Sequence, residues 1–418
     1  MPSFELLIAQ IATILVTARL VGWLFRKIRQ PPVIGEMVAG ILLGPSLFGW
    51  IAPSLSSSLF PPASLGHLSS LSQVGLLLFM FLVGFELDLK QLRELGRAAV
   101  VISQVSIIAP FVLGALFALF MYPRLADQSV SAVGFVLFIG AAMSVTAFPV
   151  LARILTEQNM LRTRVGSVAI TCAAVDDVTA WCILAGIIVI VRAPSSAMPL
   201  WLMLTGLIAF VLLMLFVVKR ALVKLAVLYD RRGTLTADSV AAILLLVLAS
   251  SWITEGLGVH ALFGAFLAGV VMPRQQGLSR ELSEKLEALV VVLLLPLYFA
   301  LTGLRSSIFL IAGLSMWLHA GAIVFLAVVG KLGGSMMAAK MNGMSWREAA
   351  AVGVLMNTRG LVELVILNIG LDLGILSPAL FSTMVLMALV TTLMTTPLLH
   401  WIHPRSYSRF KQGETRPA

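Results

Sequence analysis

The chain has 418 residues, 60% of them hydrophobic and 11% charged, with a mean hydropathy of +1.03. Soluble domains carry about 25% charged residues, so this composition excludes a water-soluble globular fold. The formal net charge of +10 does not require a nucleic-acid partner, because the basic residues fall where membrane topology would put them.

Apolar runs long enough to cross a hydrocarbon core of about 30 Å as a helix recur along the whole chain. They lack the alternation of a membrane barrel, and helices satisfy their own backbone in lipid. The pattern predicts an all-α polytopic membrane protein of about thirteen transmembrane helices. The predicted spans are 4–25, 32–51, 66–87, 97–121, 130–153, 163–191, 198–218, 237–256, 260–273, 287–303, 315–339, 347–370 and 377–400.

Span 1 carries Glu5 early and its basic cluster, Arg26, Lys27 and Arg29, after the apolar run. That is the pattern of an uncleaved anchor. Span 2 contains Glu36 in "GEMVAG", expected at the cytoplasmic approach to a site, in packing, or against a partner subunit. Span 5, "GAAMSVTAFPVLARIL", has Ser144, Thr146 and Pro149 in its middle, and proline removes an amide donor there.

Span 6 contains "TCAAVDDVTAWC", whose two adjacent aspartates, Asp176 and Asp177, are its only internal charges. One ionised carboxylate at that depth costs at least about 2.5 kcal/mol. The two cysteines, Cys172 and Cys182, are about 15 Å apart along the same helix, too far for an intramolecular disulfide. Span 9, "HALFGAFLAGVVMP", is short and opens on His260, placed to end a helix or to tune a response to pH.

The apolar stretch from Ile308 to Ala339 is too long for one upright span, and Lys331 lies well inside it. Span 12, "GVLMNTRGLVELVIL", holds Asn357, Thr358 and Gly360 at its centre. Arg359 and Glu363 lie one turn apart there, as a self-neutralising pair. Trp23, Trp50 and Trp401 lie near span ends, where interfacial aromatics belong.

Of the 29 Lys and Arg residues, Arg124, Arg192 and Arg305 fall on one side of this topology. Arg19, Lys331 and Arg359 fall within spans, and all others fall on the opposite side. Basic loops mark the cytoplasm; the N-terminus is therefore expected outside, and the C-terminus, with the tail 405–418, in the cytoplasm.

Spans 5 and 12 share a G-x-x-M start, a small polar cluster and a following helix-forming run. Seven spans separate them, an odd displacement that reverses orientation. This is the signature of inverted repeats with two broken crossing helices. Adjacent helical residues are about 100° apart, so Asp176 and Asp177 cannot share one partner. The expectation is that one aspartate holds Lys331 while the other faces a water-filled cavity and binds a cation or proton.

With "QPPVIGEMVAGILLGPSLFG" at 30–49, "FMFLVGFELDL" at 79–89, "SVTAFPVLARIL" at 144–155, "LLPLYFALTGL" at 294–304 and "MNTRGLVELVILNIG" at 356–370, the chain resembles the monovalent cation:proton antiporter-2 family, among bacterial relatives of the plant CHX exchangers. The resemblance implies a NhaA/NapA-like antiporter fold and exchange of Na⁺ or K⁺ against H⁺ by elevator movement. It implies a core at about 97–191 and 315–400, a dimerisation scaffold at about 1–87 and 198–303, a homodimer, and the bacterial inner membrane. It makes Asp177 the indispensable carboxylate and Asp176 the partner of Lys331. Thr146 and Ser144 become candidate cation ligands. Plant members commonly have Asn-Asp where this chain has Asp176–Asp177, and the Asp-Asp form with an opposed lysine goes with electrogenic exchange.

No P-loop and no Cys/His cluster with metal-ligand spacing is present, so no cofactor and no metal beyond the transported cation is expected, and the chain is not expected to be an enzyme. A K⁺ efflux channel or regulated transporter and a Na⁺-driven symporter of related inverted-repeat fold are the competing readings. An intramembrane aspartyl protease is disfavoured because its aspartates come from separate helices.

Overall fold

The computed structural model describes residues 4–28, 30–86, 97–126, 130–161, 163–192 and 199–402. The tail 405–418, the end of the motif at 79–89, and Arg29, Lys90, Arg93 and Arg162 of the topology argument lie outside the described residues, as do the side chains of Arg97 and Arg192. Among the described residues there is no strand.

The helices in chain order are α1 (Phe4–Lys27), α2 (Pro32–Leu43), α3 (Phe48–Ile51), α4 (Pro53–Leu59), α5 (Leu65–Glu86), α6 (Arg97–Leu125), α7 (Ala132–Ser144), α8 (Phe148–Glu157), α9 (Arg164–Arg192) and α10 (Leu200–Leu212). They continue with α11 (Lys219–Arg232), α12 (Ala237–Gly256), α13 (Ala261–Val270), α14 (Gln276–Leu289), α15 (Leu295–Arg305), α16 (Gly313–Val328), α17 (Gly334–Met341), α18 (Trp346–Met356), α19 (Leu361–Asp372) and α20 (Pro378–Ile402). Wide π-helical turns at Leu213–Val218, Val290–Leu294 and Val329–Gly333 join α10 to α11, α14 to α15 and α16 to α17.

Among the described residues, eleven helical stretches are long and apolar enough to cross a membrane, and twelve when the bent pair α18–α19 counts as one. Thirteen were expected. The difference is α13, whose 10 residues rise only about 15 Å, half of a bilayer core. The helices at predicted spans 7 and 10 also run further than expected, from Trp201 to Arg232 and from Gly277 to Leu310. The charges that end the apolar runs do not end the helix. They turn it amphipathic in α11 and α14. Gly313, with φ of 79°, separates a short turn at Ile308–Leu310 from α16, which resolves the over-long apolar stretch.

The chain divides into two compact units. The first comprises 1–16, 52–89 and 185–301. Its centre is α5 against α13, where a glycine on each helix lets the two backbones come into contact. A Cβ on Gly269 would strike the Phe81 carbonyl, and one on Gly84 the Phe266 carbonyl. In the same unit the Glu281 carboxylate of α14 accepts from the Leu235 amide at 3.0 and 3.1 Å, and Lys285 donates to the Leu235 carbonyl. These bonds fix the turn before α12, which Thr236 caps by accepting from Ser239.

The second unit comprises 17–51, 90–184 and 302–418. Its apolar core includes Ile102 of α6, Leu151 and Ile154 of α8, Ala169 of α9 and Val352 and Leu355 of α18. A capping box of Ser345 and Glu348 starts α18, satisfying two of the amides that every helix start leaves open. Gly330 and Gly334 let the π turn and α17 press against Pro110 and Ala109 of α6. Both broken spans lie in this unit.

Substituting Gly269 by Val should lower thermal stability, since overpacking a close contact costs about 1–3 kcal/mol. The melting temperature in detergent checks this; an unchanged value would mean that α5 and α13 can separate freely.

Candidate functional site

Helix α9 has 29 residues, and between Arg164 and Arg192 at its ends the two aspartates are its only charges. Asp176 is fully buried and fully engaged. Ser103 of α6 donates to its Oδ1 at 2.8 Å, and Ser106 lies 2.8 Å from Oδ2. Thr146, in the break between α7 and α8, lies 2.9 Å from Oδ2, and Lys331 Nζ lies 2.7 Å from the same oxygen. Lys331 is buried as well. It sits in the π turn before α17, a feature that adds a residue to one turn and re-aims the side chain.

Asp177 is equally buried, yet neither of its oxygens has a hydrogen-bond partner. The Phe148 amide, first residue of α8, lies beside it without reaching hydrogen-bond geometry. A water-facing carboxylate was expected here; the structure instead closes it off completely. Its position one residue beyond Asp176 turns it to the start of α8, inside the crossing of the broken spans. A buried, unpartnered carboxylate is costly, and of the two aspartates it is the one with oxygens free for a ligand.

The breaks themselves explain the other charges. Backbone runs extended at Val145 and Ala147, and Pro149 falls in the first turn of α8, where a missing amide hydrogen costs nothing. The last carbonyls of α7 therefore have no intrahelical donor. Arg359 supplies two, to Ala142 at 3.0 Å and Met143 at 2.5 Å, and Lys331 donates to Ser144. Two cations thus cap the negative end of a helix.

The second break, at Asn357–Gly360, is bent by 41° between α18 and α19. The two breaks hold each other: the Ala147 amide donates to the Thr358 carbonyl at 3.0 Å, and Thr146 Oγ1 lies 2.9 Å from the Met356 carbonyl. Thr392 of α20 accepts from the Arg359 amide at 3.0 Å and lies 2.8 Å from the Arg359 carbonyl. Glu363, in the first turn of α19, pairs with Arg359 at 2.7 Å, with both side chains buried.

Of the residues singled out from sequence, the structure brings Asp176, Asp177, Thr146, Ser144, Lys331, Arg359 and Glu363 into one crossing. Ser144 takes part through its carbonyl; its hydroxyl donates back to Ala141 at 2.8 Å. Glu36 and His260 have other partners. Glu36 pairs with Arg19 at 3.5 Å, and His260 caps α13 by accepting from the Leu262 amide at 3.4 Å. Sequence reasoning missed Ser103, Ser106 and Thr392. The serines did leave a signal, two hydroxyls three residues apart on one face of an apolar helix.

The family described as sodium/hydrogen exchanger, transmembrane, matches residues 15–402. The Na⁺/H⁺ antiporter NhaS4 of Synechocystis is 41% identical over 402 residues, covering 96% of this chain and 97% of that protein. Cation/H⁺ antiporter 17 of Arabidopsis thaliana is 43% identical, covering 95% of this chain and 48% of its own length. K⁺/H⁺ antiporter 1 of Saccharomyces cerevisiae is 34% identical, covering 96% and 47%. The chain thus spans about half the length of these plant and yeast relatives. The sodium/proton antiporter MjNhaP1 from Methanocaldococcus jannaschii has the same fold, with a TM-score of 0.64, 14% identity, and coverage of 97% of this chain and 99% of that one.

Replacing Arg359 by Leu would leave the Ala142 and Met143 carbonyls undonated and Glu363 an unpaired buried charge. A loss of about 3–5 kcal/mol is expected, seen as a large drop in detergent melting temperature. Wild-type stability in Arg359→Leu would show that the breaks do not need this guanidinium.

Proposed function

The chain belongs to the sodium/hydrogen exchanger family and is a cation/proton antiporter, a transporter rather than an enzyme; from that premise we propose that it exchanges Na⁺ or K⁺ against H⁺ electrogenically, at Asp177. The observation that carries the assignment to Asp177 is the charge balance of the crossing. Lys331 is matched by Asp176 and Arg359 by Glu363. Asp177 remains, buried and without a hydrogen-bond partner. A buried site with one unmatched negative charge is complemented by one monovalent cation or one proton, and alternation between them is antiport.

Oxygen ligands suit an alkali cation. Asp177 supplies the charged ones, and the Thr146 hydroxyl and the backbone of the break are the neutral ones at hand. When the cation binds, Asp177 releases its proton, and Lys331 parts from Asp176 and releases a second; both protons are taken up again after the cation leaves. Two protons then move per monovalent cation, with net charge.

In this reading the core, about 97–191 and 315–400, moves as an elevator against a scaffold of about 1–87 and 198–303. Supporting it, both breaks, the aspartates and Lys331 belong to one compact unit. The reading also takes the protein to be a homodimer in a bacterial inner membrane, with the N-terminus outside and the C-terminus cytoplasmic, as the distribution of basic residues favours.

Proteoliposomes with an internal pH dye test the assignment. Adding NaCl or KCl should move protons in the wild type and not in a folded Asp177→Asn protein, since an amide cannot alternate between charged and neutral forms. Normal exchange by Asp177→Asn would sink the site. On a solid-supported membrane the wild type should give transport currents, and an active Lys331→Gln protein should exchange without current. Exchange by the wild type with no current would refute the two-proton scheme.

A further inference from the structure

The hydroxyls around Asp176 have more acceptors than hydrogens. A serine or threonine hydroxyl donates one hydrogen bond. The Ser106 hydroxyl lies 2.8 Å and 3.1 Å from the two oxygens of Asp176 and 2.9 Å from the Ser103 carbonyl. The Thr146 hydroxyl lies 2.9 Å from both Asp176 Oδ2 and the Met356 carbonyl. Each can serve the carboxylate or a backbone carbonyl, and not both. Ser103 bonds the other oxygen, Oδ1, at 2.8 Å. All of these side chains are fully buried, so no bulk water takes the place of a missing donor.

This arrangement bears on the step in which Lys331 leaves. An ionised carboxylate that loses its ammonium partner inside a buried site is strongly disfavoured. Here the site contains donors with somewhere else to go. While Lys331 is bound, Ser106 can turn to the Ser103 carbonyl and Thr146 to the Met356 carbonyl. When Lys331 leaves, both can turn back to Asp176. A rotation about one side-chain bond replaces the lost donor, with no movement of backbone.

We propose that Ser106, supported by Ser103, is a positioning residue for exchange: its hydroxyl switches from a backbone carbonyl to Asp176 as Lys331 departs, and so lowers the cost of cation binding. The proposal rests on the reading that Lys331 parts from Asp176 during transport. It assigns α6, which carries neither the transported ion nor a charge at the crossing, a direct part in setting cation affinity.

The test is cation-dependent proton movement in proteoliposomes, titrated with NaCl and with KCl. Removing a hydrogen bond to a charged group should raise the half-saturating concentration about tenfold in Ser106→Ala, with a change under about twofold in the rate at saturating cation. Ser106→Thr keeps the hydroxyl and should restore the wild-type concentration dependence. A residue that merely packs would lower the melting temperature or the rate without moving half-saturation, and Thr would rescue no better than Ala. Unchanged half-saturation in Ser106→Ala, or no rescue by Thr, overturns the proposal. If Ser106→Ala does not purify folded, Ser103→Ala removes a donor from the same carboxylate and is read by the same criteria. A wild type that exchanges without current defeats the underlying reading instead. A wild type with current and an indifferent Ser106→Ala defeats the serine assignment alone.

Discussion

In a hydrocarbon layer every backbone amide and carbonyl must find its partner within the protein, and two interrupted helices break that rule at one place. The rest of the crossing can be derived from this debt. The last carbonyls of α7 draw in Arg359 and Lys331. Two buried cations then require two buried anions, which are Glu363 and Asp176. Asp176 in turn draws hydroxyls from α6 and from the break itself. Four of the five charges at the crossing are thus structural in origin, although they lie where the transported ion is expected.

That origin separates the two aspartates more sharply than their chemistry does. They are the same residue type, adjacent in sequence and equally buried. One is surrounded by donors, and the other has none within hydrogen-bond geometry. The difference comes from helical rotation alone: a step of about 100° takes the side chain from the serine face of α6 to the start of α8. Desolvation is offset at Asp176 by its donors and left standing at Asp177.

Much of this was legible before any coordinates. Buried charge is so expensive in lipid that Asp176, Asp177, Lys331, Arg359 and Glu363 stood out against their surroundings, and Pro149 with Gly360 marked the breaks. Less legible was what hydropathy does not measure. The length of α13 fell short of a full crossing because an apolar run reports burial, not the distance traversed. The ends of α11 and α14 were missed because charge ends an apolar run without ending a helix. Ser103, Ser106 and Thr392 were overlooked because a hydroxyl can satisfy itself on its own helix, as Thr391 does with the carbonyls of Met387 and Ala388. Only the fold shows which hydroxyls also reach another segment, as Ser106 and Thr392 do. Thr146 was visible as a polar residue in a break, but its position between Asp176 and the Met356 carbonyl depends on how two distant segments cross.

The wide turn around Lys331 also bears on how this span tolerates changes in length. An α-helix that contains one π turn holds a residue more than its axial rise requires, so the two halves of the Gly313–Met341 span are out of phase by about a third of a revolution. Deleting one residue from Val329–Gly333 would let the span close into a regular helix of nearly the same length, still able to cross the membrane. It would also rotate every side chain on one half relative to the other. For this span, hydrophobic length and functional register are independent quantities, and an alignment that preserves the first can lose the second by a single gap.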